Sequence, residues 1–265
     1  MTPVQMLLVI CPLVFLASFV DSIAGGGGLI SLPAFMLTGM PMHIACGSNK
    51  FSACMGSIVS SIRYYKNGKI HLSSAVCSGI LSLSGAVVGA KINMMIPNQL
   101  LSSGFVLLLP IIAGFVLFRK EKVRTQMLNG WRLYATCALI GFVIGMYDGL
   151  IGPGTGTFLI FAYTSFVGFD YVTASGNAKV ANLCSNLSSA IVYFLAGMIS
   201  FQVAIPAMVC SILGGWVGSG MAIHKGSRFI RGVLICVLVG IFAKLGWDLL
   251  ISRVFLALLA SSMGK

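Results

Sequence analysis

The stretch "VDSIAGGGGLISLPAF", residues 20–35, sets one aspartate and four consecutive glycines between two apolar runs. Each glycine in a helix interior costs about 1 kcal/mol relative to alanine, so this run ends one helix and lets another begin. The same arrangement returns at "YDGLIGPGTGTFL", residues 147–159, where an aspartate again precedes a glycine-rich break. After each break the next helix starts near Gly28 or Thr155, and its first N–H groups have no intrahelical partner. Such donors, at the positive end of a helix dipole, make a ready anion site. Non-helical backbone at membrane depth is tolerated only where it is buried in protein or lines a watery cavity.

Membrane depth is the right frame because of composition. The chain has 265 residues, 58% hydrophobic and 8% charged, with mean hydropathy +1.00. Soluble domains carry about 25% charged residues. The expected class is an all-α polytopic membrane protein. A formal charge of +12 would raise nucleic-acid binding in a soluble chain, but here the cations fall mainly between apolar segments, as topology signals do. No nucleic-acid partner is expected.

The eight cysteines (Cys11, Cys46, Cys54, Cys77, Cys137, Cys184, Cys210, Cys236) form no CxxC pair and no zinc-finger spacing. Inside apolar runs they read as small hydrophobes. Neither a metal nor a cofactor is expected, and no Gly-Lys-Ser/Thr follows the glycines to make a nucleotide loop. No Lys or Arg precedes the apolar run at 4–20, so it reads as part of the mature fold rather than a cleaved signal.

Two halves are visible at an offset of about 128 residues. Asp21 and Gly25 match Asp148 and Gly152; "ACGSNKF" (45–51) matches "ASGNAKV" (174–180), setting Lys50 against Lys179; "GAVVGA" (85–90) matches "GGWVGS" (214–219). The chain reads as a single membrane domain: a first repeat at 1–118, a cytoplasmic linker at 119–130 and a second repeat at 131–265. Apolar segments are expected near 3–20, 28–39, 43–64, 72–95 and 99–118, then 131–147, 155–168, 171–195, 201–222 and 229–251. The second of each set is too short to span a ~30 Å hydrocarbon core. The basic turn 63–71 has an uncharged partner at 194–200, while the uncharged 94–99 has a basic partner at 224–231. That reversal predicts an inverted repeat with 63–71, 119–132 and 224–231 cytoplasmic.

Ionisable residues inside spanning segments are costly and mark functional sites by default. Lys50 sits with Ser48, Asn49 and Ser52, and Lys179 with Asn177 and Asn182; a lysine ringed by such donors suits an oxyanion. The candidate substrate site therefore comprises Ser48, Asn49, Lys50, Asn177, Lys179 and Asn182. Gly25, Gly26, Gly27, Gly28, Gly152, Gly154, Thr155 and Gly156 would supply backbone donors, and Asp21 and Asp148 are the coupling candidates. The plainer alternative has each lysine neutralise the aspartate of its own half. Glycines in "GAVVGA" and "GGWVGS" are expected to serve close helix packing. Lys244 and Asp248, four apart, read as a structural pair.

These motifs (DSIAGGGG, GSNK, DGLIGPGTG and ASGNAKVANLCSN) resemble the TauE/SafE family of sulfite exporters, also called TSUP, over nearly the whole chain. The resemblance implies a multi-pass inner-membrane permease for a small sulfur-containing anion such as sulfite or an organosulfonate. The second half departs from the first in carrying Pro153 and Thr155 where Gly26 and Gly28 stand. An uptake permease for thiosulfate or a related anion is the nearest alternative; an enzyme is not expected. The rivals from other classes are an intramembrane enzyme using Cys54 or Cys184, and an assembly or sensor subunit. The partners expected are a small anion and the lipid bilayer, with homodimer formation left open.

Overall fold

The computed structural model describes residues 3–105, 126–226, 228–230 and 232–233. Its helices are α1 (Pro3–Ala24), α2 (Gly28–Leu37), α3 (Met42–Lys66), α4 (Leu72–Met95), α5 (Trp131–Leu150), α6 (Thr155–Ala162), α7 (Tyr171–Leu195) and α8 (Phe201–Gly226). A π-helical turn, Tyr163–Val167, extends α6, and residues 98–105 are also helical. No strand occurs among the described residues. Most of the expected segments 99–118 and 229–251, most of the linker at 119–130, Cys236 and the Lys244–Asp248 pair lie outside the described residues.

Four helices (α1 from Val4, α4, α5 and α8) are long and apolar enough to cross a membrane. Their outward side chains, among them Leu8, Ile80, Leu139 and Leu213, are more than half exposed, which suits contact with lipid. α3 and α7, of 25 residues each, are long but more polar. They bury that polarity inside the bundle: Ser48, Ser52, Ser57 and Ser60 on α3, and Ser175, Asn177, Ser185 and Ser189 on α7. The short α2 has 10 residues, which at about 1.5 Å each covers half a hydrocarbon core.

Small residues set how the helices meet. A Cβ at Gly85 would stand 2.2 Å from Phe142 O, and one at Gly89 2.0 Å from Met146 O; from the other side Gly141, Gly145 and Gly149 press on Ser78, Ser82 and Ala86. This register makes α4 and α5 parallel. Gly214 and Gly218 meet Phe15 O and Phe19 O in the same way, so α8 runs parallel to α1. The glycines of "GAVVGA" and "GGWVGS" therefore do the packing expected of them, and each joins one half of the chain to the other.

α3 and α7 run in opposite directions. Gly47, near the start of α3, meets Tyr193 near the end of α7, while Gly176, near the start of α7, meets Lys69 O just past the end of α3. α8 follows α3: Ser200 N–H donates to Ser48 Oγ at one end (3.0 Å), and Arg63 lies 4.8 Å over the Trp216 ring at the other. The basic turn after α3 thus shares an end of the bundle with the basic end of α8.

Candidate functional site

The two glycine breaks meet at the centre of the bundle. Gly25 (φ +72°) and Gly26 (φ +87°) in the first, and Gly152 (φ +86°) and Gly154 (φ +79°) in the second, hold left-handed backbone that other residues rarely adopt. A Cβ on Gly25 would stand 2.1 Å from the Gly156 carbonyl carbon, and one on Gly28 3.2 Å from Gly152 O. The breaks cross backbone to backbone, so part of the glycine requirement is contact between the halves.

Each aspartate reaches the start of the short helix that follows it. Asp21 Oδ1 accepts from Gly27 N–H at 3.2 Å, and Asp148 Oδ1 accepts from the Thr155 hydroxyl at 2.6 Å. The N–H groups of Leu29, Ile30 and Ser31 are spent on the carbonyls of Gly26 and Gly27. At the start of α2 the position that an anion would take is therefore held by the chain's own Asp21 carboxylate, which the helix dipole favours.

Each carboxylate is then paired across the halves. Lys50 Nζ lies 2.7 Å from Asp148 Oδ1, and Lys179 Nζ 2.5 Å from Asp21 Oδ2. The alternative in which each lysine neutralises the aspartate of its own half does not hold: antiparallel packing of α3 against α7 carries each lysine to the opposite break. Asp148 also accepts from Ser185 Oγ at 2.6 Å, and Asn182 Nδ2 stands 3.5 Å from Asp21 Oδ2. Both lysines are buried.

Beside these pairs lies a cavity of about 40 Å³. A single water needs roughly 10–15 Å³ of such space, so a few waters or one small oxyanion would fill it. Asp21, Lys50, Asp148, Asn49, Asn182 and Asn186 border it, together with Ser18, Ser31 and Ser52 and with Gly27, Gly28, Gly152, Thr155 and Gly156 from the breaks. Asn49 Oδ1 is buried without a hydrogen-bond partner, a costly state for a polar atom unless something occupies the space before it. Its amide can turn to offer N–H to an anion.

Several expected site residues lie elsewhere. Ser48 accepts from Ser200 N–H, and Asn177 bonds Ser74 Oγ (3.2 Å) and Thr173 O (2.8 Å); both tie helices together. Lys179 sits behind Asp21, and Gly25, Gly26 and Gly154 shape the breaks without bordering the cavity. Asn186, Ser18 and Ser31 were not singled out by sequence; Asn186, four residues after Asn182 on one face of α7, was the one legible by helical spacing. Neither Cys54 nor Cys184 borders the cavity. No group of three or more His, Cys, Asp or Glu side chains that could hold a metal occurs among the described residues.

The profile of the family described as "Sulfite exporter TauE/SafE" matches residues 10–245. A "Probable membrane transporter protein" of Haemophilus influenzae is 33% identical over 88% of this chain and 92% of its own length. "Probable membrane transporter protein YfcA" of Escherichia coli is 31% identical over 88% and 87%, and "Probable membrane transporter protein ORF9" of Sinorhizobium sp is 30% identical over 87% and 88%. No solved structure matches the chain. With a family match spanning most of its length and an all-helical bundle built for lipid, this chain belongs to the sulfite exporter TauE/SafE family of membrane transporters.

Proposed function

We propose that the chain carries a small sulfur-containing oxyanion, of the sulfite or organosulfonate class, out across the inner membrane. Two inverted repeats alternate access to the cavity beside Lys50. The observation that carries this reading is a cavity of about 40 Å³ bordered by Lys50 and by Asn49, whose amide oxygen has no partner. The entering anion draws Lys50 partly away from Asp148 and takes hydrogen bonds from Asn49, Asn182 and Asn186. Asp148 keeps the Thr155 and Ser185 hydroxyls and so stays satisfied while its lysine is shared. The narrow space favours compact anions over sulfonates with a carbon tail.

The inverted arrangement draws support from α3 and α7, matched by sequence yet antiparallel, and from the basic turns at one end of the bundle. An inside-negative potential drives a carried anion outward at about 2.3 kcal/mol per charge per 100 mV. Flux in proteoliposomes across sulfite, thiosulfate, sulfoacetate and taurine tests the function. Sulfite and thiosulfate should move fastest and zwitterionic taurine slowest; a taurine rate above that of sulfite overturns the compact-anion reading. Cysteine labelling tests the topology: residues 66–69 and 225–228 on opposite faces would rule out inversion.

A further inference from the structure

We infer that Asp21 takes up a proton when an anion enters the cavity, so that one proton travels with each anion; this rests on the anion-carrier reading above. The argument is one of charge. Lys50, Lys179, Asp21 and Asp148 form two pairs whose formal charges cancel before any substrate arrives. An entering anion therefore adds negative charge that nothing in the cavity offsets, in a setting where unpaired charge is expensive. Protonating one carboxylate removes one unit of it and leaves a lysine free to face the anion.

The geometry selects which carboxylate. The Asp148 side chain is 3% exposed and holds three donors, from Lys50, Thr155 and Ser185. Asp21 is 20% exposed, borders the cavity, and holds Lys179, the Gly27 N–H at 3.2 Å and the Asn182 amide at 3.5 Å. Around it, α7 contributes Lys179, α3 contributes Lys50 across the cavity, and α5 contributes Asp148. Tyr64 of α3 lies behind, its hydroxyl donating to Ser22 O at 2.9 Å. Both carboxylates border the cavity, but Asp21 is the more exposed. Beyond its ion pair it holds only the longer contacts at 3.2 and 3.5 Å, where Asp148 holds two hydroxyls at 2.6 Å. The proton comes from bulk solvent on the side from which the anion enters, adds to a carboxylate oxygen, and returns to solvent on the far side as the anion leaves; no covalent bond to substrate forms or breaks. With Asp21 neutral, Lys179 behind it is left with an uncancelled positive charge, which offsets the anion held at Lys50. A dianion accompanied by one proton still moves one net negative charge, so an inside-negative potential still drives it out.

The test uses the purified full chain in proteoliposomes containing a trapped pH-sensitive dye, with the potential clamped at zero. Thiosulfate, and sulfite at alkaline pH, enter as fully ionised dianions, so any proton that accompanies them is carried by the protein. An inward gradient of either should acidify the lumen by about one proton per anion, a ratio expected to fall to near zero in Asp21→Asn. Because Asp21→Asn strands Lys179, the double variant Asp21→Asn with Lys179→Gln serves where the single one fails to fold, and the same fall is expected. Wild-type flux without protons, or an unchanged proton ratio in either variant, overturns the inference and leaves the carrier reading standing. Absence of flux for every oxyanion overturns both.

Discussion

At the first break the Asp21 side chain is 20% exposed and borders the cavity, whereas at the second the Asp148 side chain is 3% exposed and takes three donors. The surroundings differ in the same sense. Where α2 presents Ser31 to the cavity, the matching position of α6 is Phe158, whose ring stands edge-on to Tyr147 at 5.6 Å. Asn49 borders the cavity; its counterpart Ala178 is apolar and fully buried. Both breaks border the one cavity, but the first faces it with a serine where the second packs a phenylalanine against a tyrosine. The charges that match between the two breaks supply the exchanged ion pairs, and the side chains that differ between them set which carboxylate is the more open.

The largest expected effect is on what the two breaks share. Gly25→Ala adds a Cβ 2.1 Å from the Gly156 backbone at a φ of +72°, with no flexible side chain to give way. A loss of more than about 4 kcal/mol is expected, read as failure to accumulate monodisperse protein in detergent. Gly39→Ala is the control: its φ is +83° but nothing lies within 4 Å, so only the strain of about 1–2 kcal/mol remains. Equal behaviour of the two variants would mean that the breaks do not touch.

Next come the ion pairs. Lys50→Gln or Asp148→Asn leaves one buried charge unpaired, worth about 3–5 kcal/mol, and should also remove transport. Lys50→Gln combined with Asp148→Asn should recover most of the lost thermal stability, whereas Lys50→Gln with Asp21→Asn should lose more than either alone. The reverse ranking would return the lysines to the aspartates of their own halves. Asp21→Asn alone should cost about as much as Asp148→Asn, because the lysine each strands is buried: Lys179 is 1% exposed and Lys50 5%.

Apolar runs made these helices legible: α4 and α7 span the residues expected, 72–95 and 171–195, and in the structure α7 opens on Asp170, which accepts from Val172 N–H and Thr173 N–H. The ionisable residues that mark the site were equally plain, because four charges stood out in apolar sequence. Their pairing was not, since it depends on α3 and α7 packing in opposite directions, a long-range fact that no local spacing encodes. The same gap misplaced Ser48 and Asn177. Each stands two residues before its lysine, which on a helix points it about 160° away, and these two face adjoining helices.

Exchanging the residue of one break for that of the other sharpens the comparison. Ser31→Phe places in α2 the residue type that α6 carries at Phe158. Ser31 is 6% exposed, and its hydroxyl donates to Gly27 O at 3.1 Å. A ring there should fill the cavity at an overpacking cost of about 1–3 kcal/mol. Both ion pairs should survive, so the variant is expected to fold, bind little anion and show no flux. Retained flux at the wild-type rate would move the permeation path away from Ser31.

The smallest effect is expected at two thiols that neither break uses. Cys54 and Cys184 follow their lysines by four and five residues, which is what made a thiol nucleophile worth weighing. In the fold Cys54 is buried, Cys184 packs toward Gly79 of α4, and neither borders the cavity. A thiol that a substrate cannot reach contributes packing, so Cys→Ala at either position removes one sulfur from a protein interior and should cost about 1 kcal/mol. Melting temperature in detergent should fall by a few degrees, about 2–4 °C for a chain of this size. Proteoliposome flux should stay within about twofold of wild type once corrected for folded protein. The two variants should also behave alike, because the difference between the halves lies around Asp21 and Asp148 and not at these thiols. Loss of flux from Cys54→Ala or Cys184→Ala in a protein of unchanged stability would break that symmetry and bring thiol chemistry back into the mechanism.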